Sequence, residues 1–140
     1  MLLLVLLLVV VYDSNAQEIE KINPKTRWTD MFKEFVTFKC ICEITKDGID
    51  SLMYRNKDYS FVVHAELLSG RGAVADSIGR DFARKIPYIT TEKESDLYGW
   101  KGSLYDCLKF FKSPQLDSIA HKQYLIFMKT HSADWLERNQ

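Results

Sequence analysis

The chain lacks most of the features that assign a protein quickly. It has no excess of charge, with 19 basic and 19 acidic residues among 140, so the electrostatic footprint of a nucleic-acid binder is missing. Its one long apolar run, Leu2–Val11, holds ten residues, too few to span a bilayer comfortably. No Asn-x-Ser/Thr acceptor occurs, which leans away from a glycosylated eukaryotic secreted protein. Gly-x-Ser-x-Gly, His-Glu-x-x-His and paired-cysteine zinc spacings are all absent, so no motif calls for a catalytic residue, a metal or another cofactor. Gly70-Arg71-Gly72 and Gly79-Arg80 lack the preceding buried strand and the glycine spacing of a phosphate or dinucleotide loop. Alternating strand patterns, repeats and low-complexity tracts are missing too.

What is present begins with the apolar run itself. It leads into Ser14-Asn15-Ala16, with small residues at −3 and −1 of a bond, the pattern that fits signal peptidase. Residues 1–16 therefore read as a signal peptide cleaved after Ala16, and 17–140 as the mature domain. No Lys or Arg precedes the run, and the competing reading is a short membrane anchor or a buried strand. The remaining 124 residues are about 41% apolar with one net positive charge. That suits one folded domain and excludes a disordered chain. After cleavage nothing apolar enough to hold a membrane is left.

Glu18–Lys25 reads as a polar leader. From Trp28 the apolar residues Met31, Phe32, Phe35 and Val36 recur at helical steps, capped at Thr26 or at Thr29-Asp30 and running to about Thr45. Ile49, Leu52 and Met53 predict a short second helix. Tyr59–Leu68 is rich in strand formers, yet Ala65 to Leu68 and the following Gly70 favour a helix with a glycine stop. Val74, Ile78, Phe82 and Ile86 step by four along a helix that Pro87 ends. Pro87–Asp96 is a ten-residue connection, followed by a helix over about Leu97–Phe111 that tolerates Gly99 and Gly102. Ser113-Pro114 opens the last helix, which carries Leu116, Ile119, Ala120, Tyr124, Phe127 and Met128, extending towards Trp135. The fold class is all-α, a single compact bundle of five or six helices.

Export makes the three cysteines candidate disulfide partners. Cys40 and Cys42 lie about 200° apart on a helix and cannot bridge each other, so either could pair with Cys107. Such a bond would be worth roughly 3–4 kcal/mol. Measured from Trp28, Cys42 is nearer the centre of the apolar face, so burial favours it. A catalytic thiol would need His64, His121 or His131 nearby, and nothing local supplies one. Asp117 and His121, four apart, read as a surface charge pair more readily than as half a metal site. Tyr98, Trp100, Tyr105, Phe110 and Phe111 read as core; the alternative is the lining of a pocket, which would make the chain a secreted helical carrier of a small apolar ligand.

Ser103–Asp117, reading SLYDCLKFFKSPQLD, resembles the C-terminal signature of the type VI secretion amidase immunity proteins: a Cys-Leu pair, an aromatic residue, then Ser-x-x-Leu-Asp opening the last helix. Phe35 with Cys40 five residues later is similar to that family's first-helix cysteine. Cys42 is additional, and Asp106 stands where a basic residue usually precedes the second cysteine. The resemblance implies a helical, often dimeric, non-enzymatic periplasmic protein with a Cys40–Cys107 bond. Its partner would be a cognate peptidoglycan amidase effector, whose active-site cleft a projecting loop enters. The segment best suited to project is Pro87–Asp96, with Tyr88 as aromatic anchor and Glu92, Glu94, Ser95 and Asp96 as hydrogen-bond acceptors.

Overall fold

The computed structural model describes residues 23–90, 93–96 and 98–131. The signal segment with its cleavage point, Glu92 and Trp135 lie outside the described residues. Six helices and no strand occur among them: α1 (Pro24–Ile44), α2 (Gly48–Arg55), α3 (Ser60–Leu67), α4 (Gly72–Lys85), α5 (Ser103–Phe111) and α6 (Pro114–Phe127). The all-α expectation holds.

α1 is the axis of the bundle and packs against all five other helices. It starts earlier than expected. Asn23, assigned to a polar leader from sequence, is the N-cap: its side chain accepts a hydrogen bond from Lys25 N–H, and Pro24 sits at the first helical position. Neither Thr26 nor Thr29 caps it. A helix wrapped on most sides cannot stay amphipathic. Trp28, Phe32, Phe35, Val36, Phe38, Cys40 and Cys42 are all buried, on faces that point in different directions. Buried Thr37 satisfies its hydroxyl by donating to the Lys33 carbonyl one turn back.

α4 lies on α1 through Gly72, Ala75, Gly79 and Ala83, its buried residues. The large residues chosen from sequence, Val74, Ile78 and Phe82, are only half-buried along its flanks. Small side chains let the two backbones approach, and Gly79 marks the crossing: a Cβ there would overlap the Val36 carbonyl and sit 2.9 Å from the Cys40 amide nitrogen. Ile86 turns extended (φ −60°, ψ 122°) ahead of Pro87, as the residue before proline must.

Polar groups brace the crossing. The Arg80 guanidinium reaches Asp47 at 2.8 Å, Glu43 at 3.0 Å and Asp76 at 3.2 Å, and Arg84 adds a 2.8 Å contact to Glu43. Arg80 thereby clamps the α1–α2 turn, where Lys46 and Asp47 both adopt left-handed conformations that cost a non-glycine residue energy. Hydrogen bonds from Arg84 and then Arg80 hold the Glu43 carboxyl below its ordinary range.

At the other end, Ser113 Oγ accepts from Leu116 N–H and Pro114 follows at the first helical position, as expected. α6 buries Leu116, Ala120 and Phe127. Trp28 packs against Phe32, Tyr124 and Phe127, with ring centroids 5.1–5.7 Å away. Asp117 pairs across the helices with Lys33 of α1 rather than with His121, so the expected pair along one helix is corrected to a tie between two.

Candidate interaction loop and its disulfide base

α5 is shorter than expected. Gly99 adopts φ +78° and Gly102 is the N-cap, so the helix opens at Ser103 rather than near Leu97. The two glycines, read from sequence as tolerated within a helix, end it. The connection between α4 and α5 consequently runs over residues 86–102 rather than 87–96.

This loop is tied across its base. Ile89 N–H donates to the Trp100 carbonyl at 2.6 Å and Gly99 N–H donates back to the Ile89 carbonyl at 3.1 Å, pairing the outgoing and returning limbs. A turn closes from Tyr98 N–H to the Ser95 carbonyl at 3.0 Å. The Lys101 ammonium lies over the Tyr88 ring, 4.4 Å from its centroid, a contact that steadies both side chains.

Both roots of the loop converge on a small second core. Ile86 on the outgoing side and Cys107 on the returning side are buried together with Cys40 and Ala83. Here Cys40 and Cys107 form a disulfide, 67 residues apart in sequence with Cα atoms 5.9 Å apart. The preference for Cys42 drawn from burial is corrected: Cys40 makes the bond, and burial does not discriminate because both cysteines are fully enclosed. Cys42 stays a free thiol, pushed up by burial to a pKa of about 11. Its charged neighbours are Lys39, Asp50, Asp47 and Arg80, with no imidazole among them, and a buried protonated thiol is a poor nucleophile.

The exposed side chains around the base are large. Tyr88 and Trp100 are 63% and 65% exposed and Tyr98 is exposed beside them. On the outer face of the adjoining α5, Leu104, Tyr105 and Leu108 are exposed as well, Tyr105 at 71%. Tyr105 precedes Cys107 by two positions, so the phase that turns Cys107 and Phe110 inward turns Tyr105 outward. Phe110 is buried against Phe82, their rings parallel at 3.9 Å, and Phe111 receives the Lys33 ammonium. The five aromatics grouped from sequence thus divide between surface and core.

Of the expected loop contacts, Tyr88, Glu94 and Asp96 are exposed, whereas Ser95 is half-buried. Sequence reasoning missed Trp100, Tyr98 and Tyr105 as surface residues; reading Gly99 and Gly102 as helix breakers would have exposed the first two. Loops that carry clustered aromatics over a rigid base have the make-up of a protein-binding surface. Comparison with known protein families, curated proteins and solved structures returns no match for this chain.

Proposed function

We propose that the chain is an exported immunity protein that binds the peptidoglycan amidase effector of a type VI secretion system and blocks its active-site cleft. The observation that carries this reading is the exposed aromatic loop anchored by the Cys40–Cys107 disulfide, joined to the resemblance of Ser103–Asp117 to the amidase immunity signature. A cleft inhibitor must present large side chains without losing much freedom on binding, since ordering flexible groups subtracts from affinity. Pairing across the loop base, the Lys101–Tyr88 contact and the disulfide reduce that loss here. Tyr and Trp are the residue types that most often dominate binding energy, and Tyr88, Trp100 and Tyr105 supply them. Glu94 and Asp96 add acceptors and negative charge beside them. The signal pattern at Leu2–Ala16 fits export to the periplasm, where such an effector would act. The reading expects an amidase gene beside this one, and the test is to mix the purified mature chain with that amidase and follow peptidoglycan cleavage. Stoichiometric inhibition supports the reading; undiminished cleavage in the presence of excess folded chain refutes it.

A further inference from the structure

α2 and α3 pack on α1 with partly buried residues such as Met53 and Phe61, and neither contains a fully buried one. Between them and α1 lies a cavity of about 280 Å³ that shares no residue with the loop. Its wall is built of rings. Phe35 and Phe38 come from α1 and Phe61 from α3, with Phe38 and Phe61 face to face at 4.1 Å. Met53 contributes a polarizable thioether. Tyr54, Tyr59 and Val62 stand at the mouth, and Tyr54 is 77% exposed. A dry cavity of about 150 Å³ accepts benzene, and small-ligand sites begin near 300 Å³. The space fits one or two fused rings.

Charge narrows the class. The Lys39 ammonium lies over the Phe35 and Phe38 rings at 5.4 and 5.1 Å, yet it is already paired with Asp50 at 3.3 Å and Asp76 at 3.9 Å. Asp58, also on the lining, accepts from the Ser60 amide and hydroxyl at 3.0 and 2.6 Å, contacts that favour its ionised form. Lys39, Asp50 and Asp58 leave the lining with one net negative charge. An organic anion would meet an uncompensated carboxylate and a cation would be drawn to it, while the Phe38 ring faces are already held by Lys39 and Phe61.

We infer that this cavity binds a small planar aromatic molecule, neutral or cationic, of one or two fused rings. It uses none of the residues assigned to amidase binding, so the two readings stand or fall separately. The test is titration of the mature chain with indole, tryptamine and indole-3-acetate, followed by amide chemical shifts. Saturable shifts are expected at Phe38, Tyr54 and Phe61, with tryptamine and indole binding roughly tenfold tighter than indole-3-acetate. Val62→Trp, at an exposed position where a bulky ring can close the mouth, should weaken tryptamine binding roughly tenfold. Tyr54→Ala, also exposed, should weaken it severalfold while the thermal midpoint stays put. Absence of saturable shifts at millimolar ligand, preference for the carboxylate, or wild-type affinity in both variants would overturn the inference.

Discussion

Replacing Gly79 with alanine should destabilise the protein, although alanine is the better helix former. A Cβ at this position would overlap the Val36 carbonyl oxygen, and it would lie 2.9 Å from the Cys40 amide nitrogen and 3.1 Å from Lys39 Cβ. Non-bonded carbons rest at about 3.5–4.0 Å, and two of the three obstacles are backbone atoms of a fully packed helix. Relief therefore requires α4 to move off α1 by about 1 Å, which loosens Ala75 and Ala83 and pulls on the Arg80 contacts. Overpacking of this kind costs about 1–3 kcal/mol, and rigid obstacles place it at the upper end. Alanine returns about 1 kcal/mol through helix propensity. The net loss should be about 2 kcal/mol, or roughly 8 °C in thermal midpoint for a domain of this size. Urea denaturation of the oxidised mature chain measures it. Gly48→Ala is the control, because at the start of α2 a Cβ meets only Thr45 Cβ at 3.9 Å; its stability should stay level or rise slightly. A Gly79→Ala protein as stable as wild type would show that α4 does not cross α1 at this distance.

Cys107→Ala should cost about 4 kcal/mol, the chain-entropy value for a closure of this length, seen as a lower urea midpoint that reductant reproduces in wild type. Disulfide mapping by mass should return Cys40–Cys107, and a Cys42–Cys107 peptide would contradict the structure. The Cys42 thiol, fully enclosed and with a pKa of about 11, should resist alkylation in the native protein at mildly alkaline pH and react only on unfolding. Glu43 has a folded-state pKa below its ordinary value of 4.5, so its contribution is present above that value and lost as pH falls through the lowered one. Glu43→Gln should accordingly be less stable than wild type at neutral pH, with the difference closing below pH 4.5; a constant difference across that range would remove Glu43 from the acid response.

Helix ends marked by proline were the most legible part of the sequence. Pro114 and Pro87 act through the backbone and Ser113 through a local side-chain cap, so all three can be read without knowing the packing. Asn23-Pro24 carries the same signal and was missed, because polar flanking residues were read as leader instead of cap. The middle helices α2 and α3 were readable from local propensity, including the choice of helix over strand at Tyr59–Leu68. The face of α4 was not, since periodicity counts large apolar residues while a close crossing needs Gly79 and its alanine neighbours. Helix angle favoured Cys42 over Cys40 and misled, because α1 is covered on most sides and burial is no longer tied to one direction. For the loop, Tyr88 was legible from the length of the connection. Trp100 and Tyr105 were not, because their exposure follows from where Gly102 starts α5.

In the proposed complex the aromatic loop over the disulfide base contacts the amidase. The most direct measurement is inhibition of the proposed cognate amidase by wild type, by Tyr88→Ala/Trp100→Ala, and by Leu125→Ala, which alters an exposed side chain on α6. Each anchoring ring in an interface contributes about 2 kcal/mol, so the double variant should weaken inhibition well beyond thirtyfold, about what one such ring accounts for, while Leu125→Ala inhibits as wild type does and all three keep the same helical circular dichroism. Full inhibition by the double variant would contradict the account.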